Sequence, residues 1–199
     1  MEKLDLTKKY KTYYSAKAKP ELTEFGNIQY LTIKGKGEPA GKEFDEKTAT
    51  LYPVAYGIKK ICKAQSKDFA VPKLEGLWWA DSSKPFLSVP RSEWQWKLLI
   101  RMPDFVTSKM LTQSLNDLVK AKKIKSDYDI ILETINEGKL INILHTGPYS
   151  AEPATIAHMD SFIKENKLSK NGLHHEIYLS DPNKTEPSKM KTILRQPVK

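Results

Sequence analysis

Hydrophobic and polar positions along the chain run twice through one order: strand, helix, strand, strand. In the first round, residues 27–35 alternate and are rich in Tyr, Thr and Ile, which predicts a strand. Gly35, Gly37, Pro39 and Gly41 then break the chain. From Phe44 onward, Leu51, Val54, Ala55, Ile58 and Ile61 recur at helical spacing and form one apolar face. Pro53 lies inside that pattern and predicts a new turn or a kink. Residues 74–80 and 94–102 predict two short strands rich in Trp and Leu, joined by a loop with Asp81, Ser82, Ser83 and Pro85.

A helix is predicted over 106–120, with Leu111, Leu115, Leu118 and Val119 on one side, followed by a basic, polar stretch to residue 127. The second round then begins. Residues 139–145 predict an apolar strand, and Gly147-Pro148 a turn. Ser150 is a plausible helix N-cap, and Glu152 and Pro153 in the first turn suit a helix start, where negative charge and a fixed φ are both favourable. Ile156, Met159, Phe162 and Ile163 form the buried stripe. Strands follow at 173–179 and 190–197, separated by the polar loop from Asp181-Pro182 to Pro187. The halves match in element order and not detectably in sequence.

The expected fold class is α+β: two pseudo-symmetric strand–helix–strand–strand units forming an antiparallel sheet, with helices on one face and a ligand groove on the other. The boundaries read as an N-terminal arm, 1–26, and a domain, 27–199. The domain divides into a first unit, 27–105, a linker helix, 106–127, and a second unit, 128–199. The arm is lysine-rich, and its Leu4, Leu6, Tyr10, Tyr13 and Tyr14 let it lie over the domain as a strap or fray.

Composition narrows the function. The net charge is +9, but arginine occurs only at Arg91, Arg101 and Arg195, and the lysines are scattered. Base readout and bidentate phosphate contact favour arginine, so the basic excess reads as a solvated surface and no direct nucleic-acid partner is expected. Cys62 is the single cysteine, so neither an internal disulfide nor a cysteine-based zinc site is available. His145, His158, His174 and His175 match no zinc spacing, and no metal or other cofactor is expected. No secretory signal and no membrane-length apolar run is visible, which suits a cytoplasmic protein, monomeric or weakly dimeric.

Strand alternation sorts the candidate chemistry. In the strand after Gly172, Leu173, His175, Ile177 and Leu179 point one way; His174, Glu176 and Tyr178 point the other. The mostly apolar first set is expected to meet the helices, leaving Glu176 in or near the groove. Trp78, Trp79, Trp94 and Trp96 fall in two neighbouring strands and divide between core and ligand wall. Tyr149, at the turn into the second helix, can reach a groove at the sheet edge.

Several motifs in order then resemble the GyrI-like small-molecule-binding domain. They are His145-Thr146-Gly147-Pro148-Tyr149, the run from Leu173-His174-His175-Glu176 to Ser180-Asp181-Pro182, and Lys191-Thr192-Ile193-Leu194-Arg195-Gln196-Pro197. Leu77-Trp78-Trp79 and Trp94-Gln95-Trp96-Lys97 resemble the standalone branch of that family. The resemblance implies a ligand groove between the two units. It also implies kinship with effector-binding domains of multidrug-sensing regulators, whose buried glutamate and aromatic walls hold lipophilic cations. By that resemblance Glu176 matches the glutamate, and no DNA-binding helix-turn-helix is found. Some standalone relatives are hydrolases that open the strained ring of cyclopropane-containing alkylators. The resemblance then casts Glu176 as general base, Tyr149 or Tyr56 as hydroxyl donor, and Trp79, Trp94, Trp96, Tyr178 and His145 as further groove residues around an aromatic ligand. Hydrolysis as detoxification and non-catalytic binding of lipophilic cations both remain open, with gyrase inhibition behind them.

Overall fold

The computed structural model describes residues 3–39, 41–84, 86–125 and 128–199. Pro85 of the expected loop, the first two residues of the arm and the last two of the linker lie outside the described residues. In chain order the elements are β1 (Leu4–Asp5), α1 (Leu6–Lys9), β2 (Glu21–Lys36), α2 (Lys42–Ala64), β3 (Phe69–Ala70), β4 (Leu74–Trp79), β5 (Gln95–Arg101), α3 (Ser108–Lys120), β6 (Ile130–Thr146), α4 (Glu152–Glu165), β7 (His174–Tyr178) and β8 (Lys191–Pro197). The repeated order is therefore β2-α2-β4-β5 and β6-α4-β7-β8, and the α+β fold class expected from the pattern is present.

The six main strands close in the order β2-β5-β4-β7-β8-β6, with every neighbouring pair antiparallel. Among the described residues, two strand pairings join the units. The long one is β2 on β6, running from Glu21↔Asn142 to Ile33↔Ile130. The short one is a four-pair seam, Glu75↔Ile177 to Trp78↔His174. The strands β2 and β6 begin well before the alternating segments that predict them. Each continues past a glycine, Gly26 or Gly138, through sequence of mixed polarity that the partner strand holds in register. Helix α2 runs through Pro53 without a break in helical assignment. No helix among the described residues is long and apolar enough to cross a membrane.

On one face of the sheet, α2 and α3 cover Leu31, Ile33, Trp78, Trp96, Leu98 and Ile100, and α4 covers Ile141, Ile143 and Leu194. Cβ-free Gly35 lets the Trp96 ring lie against the β2 backbone, where any side chain would collide with it. The other face is also buried. The arm lies on it, and Leu6, Tyr13 and Tyr14 pack with Tyr30, Leu77, Leu99, Ile177 and Ile193. This corrects the assignment of faces in β7. Ile177 and His175 turn toward the arm, not the helices, while Glu176 and Tyr178 share the helix-bearing face. The reason is that the arm supplies a second apolar partner, so an apolar strand face no longer implies a helix over it.

Beneath the arm lies a buried charge cluster. His175 bonds Glu75 Oε2 through Nε2 (3.0 Å) and Glu137 Oε1 through Nδ1 (2.9 Å). Burial opposes charge on the ring, but Glu137 and Glu75 outweigh it and push its pKa up to about 9. Both ring nitrogens therefore donate. Burial would raise the Glu137 carboxyl, yet the imidazolium beside it holds it below its ordinary value. By linkage, the His175 contribution to stability is complete below its ordinary value of 6.5 and is lost as pH rises through about 9. The Glu137 contribution is complete above 4.5 and is lost as pH falls through its lowered value. Replacing His175 with Ala strands two buried carboxylates, and an expected loss of about 3–5 kcal/mol is measurable by denaturant unfolding at pH 6. That loss shrinks as the pH is raised toward 9.

Candidate functional site

The seam that closes the sheet also carries the candidate site on its helix-bearing side. Glu176 in β7 lies directly opposite Gly76 in β4. A Cβ on Gly76 would stand 2.9 Å from both Trp78 Nε1 and the Tyr178 hydroxyl, so the absence of a side chain makes room for their contact. Trp78 Nε1–H donates to the Tyr178 hydroxyl (3.0 Å), which donates to Glu176 Oε2 (2.8 Å). His174 Nε2 stands 3.4 Å from the other carboxylate oxygen. This relay fixes Glu176, which is only 9% exposed. Burial, and then the Glu176 charge, raise the Tyr178 phenol well above its ordinary pKa, so it stays a donor.

A second carboxyl reaches the same place from α4, the helix of the unit that also carries Glu176. Gly147 (φ +139°) turns the chain, one 3₁₀ turn at Tyr149–Ala151 follows, and α4 opens at Glu152 with Pro153 beside it. Sequence reasoning takes Glu152 for a first-turn negative charge that suits a helix start. In the structure it is 6% exposed, and its Oε1 has no hydrogen-bond partner among the described residues. Burial, then the neighbouring Glu176, push its pKa up to about 9; the Thr192 hydroxyl nearby offsets little of this and makes no aligned bond. Glu152 therefore favours its neutral form far more than a free carboxyl does. Its only sequence signal was a Glu two residues after the Tyr149-Ser150 pair, which alone does not distinguish a buried acid from a capping charge.

Aromatic rings line the approach. Tyr149, 41% exposed, meets Tyr178 edge-on at 5.8 Å, and burial, Glu152 and Glu176 raise its pKa to about 12. Trp78 stacks on Phe44 of α2 (6.0 Å) and meets Trp94 edge-on (6.0 Å), which in turn lies on Phe86 (4.2 Å). From α2, half-buried Tyr52 feels the charge of Asp181, as Tyr149 does from the other unit. These rings and the two carboxyls gather between α2 and the start of α4, over β4 and β7.

Of the residues expected at the groove, Glu176, Tyr178 and Tyr149 come together here, and Trp94 joins the aromatic wall through Trp78. The others are placed elsewhere. Trp96 is fully buried under α2, edge-on to Phe44 (5.3 Å). Trp79 alternates with Trp78 and so turns to the arm side of the sheet. His145 pins the turn into α4: Nε2–H donates to the Pro148 carbonyl (3.2 Å) and Nδ1 accepts from Thr155 (2.8 Å). Tyr56 is exposed on a separate surface groove of about 610 Å³ between α2 and α3, shared with Pro53, Lys60 and Leu118. That groove contains no buried titratable pair. Among the described residues no group of three or more His, Cys, Asp or Glu is placed to hold a metal.

The GyrI-like small molecule binding domain matches residues 18–199. The chain belongs to the GyrI-like family. Solved structures agree. An uncharacterized conserved protein from Listeria innocua is 37% identical over 99% of this chain and 100% of its own, with a TM-score of 0.91. A protein described as a hydrolase from Listeria innocua is also 37% identical over the same shares, with a TM-score of 0.87. The EcmrR C-terminal domain, 14% identical over 91% of this chain and 97% of its own, has a TM-score of 0.59 and shares the GyrI-like fold. Comparison with curated proteins gives no match.

Proposed function

We propose that this GyrI-like protein binds flat aromatic small molecules between α2 and α4 and hydrolyses those carrying a strained, electrophilic ring, as a detoxification step. The observation that carries this reading is a buried Glu152, its pKa raised by burial and by the nearby Glu176, with Glu176 itself held by Tyr178 and Trp78 among aromatic rings. Acid and base are thereby poised near each other. The 37% identical Listeria innocua protein described as a hydrolase supports catalysis over passive binding.

The chemistry balances as addition of water. Glu176 accepts a proton from a water whose oxygen bonds to the strained ring carbon. The ring carbon–carbon bond breaks, and its electron pair moves through the conjugated system to a carbonyl oxygen. That oxygen takes the proton of Glu152, with the Tyr149 hydroxyl donating to it as charge develops. Trp78, Trp94 and Phe44 supply flat surface for the aromatic body of the substrate.

A second reading, sequestration of lipophilic cations, is favoured by the same carboxylate standing among Tyr and Trp rings, which attract cations through their faces. One experiment separates the two. The protein is incubated with a cyclopropane-bearing aromatic alkylator, and ring-opened product is followed by mass spectrometry. Water-adduct formation above the protein-free rate is expected. Tryptophan quenching by cationic dyes without any product from the alkylator moves the assignment to sequestration, and neither signal sinks both.

A further inference from the structure

We infer that the N-terminal arm is a strap that fixes the seam between the two units, and that Tyr13 thereby acts as a positioning residue for Glu176. This rests on the reading of Glu176 as the functional carboxylate. No arm residue needs to enter the candidate site for the effect, because that site and the arm occupy opposite faces of the same two short strands.

The seam is only four residue pairs long, and side chains alternate across it. Gly76, Trp78, Glu176 and Tyr178 face the candidate site. Glu75 and His175, each one residue away from Gly76 and Glu176, face the arm. Tyr13 closes the arm side. Its hydroxyl donates to Glu75 Oε2 (2.5 Å), the oxygen that His175 also engages, and it lies 2.6 Å from the Tyr30 hydroxyl of β2. Burial, then Glu75, keep this phenol far from ionising, so it remains a donor. The Tyr13 carbonyl is bound by Arg195 of β8, whose guanidinium covers the Tyr13 ring at 4.1 Å and also donates to Asn142 of β6 (3.1 Å). Arg101 of β5 covers the same ring at 4.7 Å. One arm residue thus touches β2, β4, β5 and β8.

The rest of the arm is anchored in both units. Leu4 and Asp5 pair with Phe69 and Ala70 in the first. The Lys17 carbonyl accepts from Leu144 N (2.7 Å) and the Ser15 carbonyl from Asn142 (3.2 Å) in the second. A segment tied to both sides of a short ladder resists its opening. Shifting β7 against β4 would move Glu176 away from Gly76 and break the relay through Tyr178.

The test compares the full chain with Tyr13→Phe, which keeps the ring and removes the hydroxyl. Hydrogen exchange is read for residues 4–17 and 174–178 by mass spectrometry. Exchange is expected to rise about tenfold in both segments, the effect of losing a hydrogen bond to a buried charged group. Turnover of the alkylator is expected to show kcat lower by about tenfold with KM changed less than about twofold, the signature of a displaced reacting group. A role limited to stability would lower the melting temperature and leave kcat of the folded protein intact, which overturns the inference. So does faster exchange confined to residues 4–17, or in neither segment. Should Tyr13→Phe not fold, Asp5→Ala loosens the arm from its other end by removing the cap of α1, and the same joint rise is expected. If the wild type turns over nothing, the functional reading fails while exchange at 174–178 still decides the strap.

Discussion

Replacing Glu176 with Gln is expected to lower kcat for ring opening by about 10²–10⁴-fold, the range for loss of a positioned general base. Gln keeps the size of the side chain and can still accept from the Tyr178 hydroxyl, so the relay from Trp78 and the fold are expected to persist. Steady-state kinetics with the alkylator, beside a thermal unfolding curve, checks both halves of this statement. Equal turnover by the variant and the wild type would remove Glu176 from the mechanism. Under the cation-binding reading the same substitution weakens dye affinity instead, because an amide carries no charge to meet the ligand.

The second large effect runs in opposite directions for stability and activity. Glu152 has its pKa pushed up to about 9 by burial and by Glu176, against an ordinary 4.5. A carboxyl with a raised folded pKa contributes fully below 4.5 and destabilises progressively as pH rises toward 9. At pH 7 the penalty is up to about 3 kcal/mol. Glu152→Gln removes the ionisable proton and is expected to recover most of that stability at pH 7, with little gain at pH 4, by denaturant unfolding. The same change removes the acid and is expected to cut kcat by about 10²-fold or more. A variant that is both more stable and less active marks a residue kept for chemistry at the expense of the fold. A variant destabilised at pH 7 would show Glu152 to be structural.

How far the chain could be read in advance varies by element. Periodicity located β4, β5, β7, β8, α3 and α4 to within a few residues, because each is short and carries its own alternation or apolar stripe. The starts of β2 and β6 were not legible. The runs opened by Glu21 and Ile130 mix polar and apolar residues without a clean alternation, and are held as strand by pairing along β2 and β6. Glu176 could be singled out as the one carboxylate of β7. Glu152 could not, since a glutamate in the first turn of a helix is ordinary, and its burial depends on β7 and β8 lying beneath it. The tryptophans show the same limit. Alternation separates Trp78 from Trp79, but only the seam with β7 decides which of them meets Tyr178.

By itself the sequence determined the repeated strand–helix–strand–strand order, the kinship of the chain and the strand glutamate that we propose as its functional carboxylate. These are set by local spacing and by short motifs, which act over a few residues. The tertiary structure alone decided that the arm covers the second face of the sheet, that Glu176 therefore faces the helices, and that Glu152 is buried near it with its pKa raised. Those outcomes depend on strand registers between segments about a hundred residues apart, and on burial, which is a property of the assembled fold and of no segment within it.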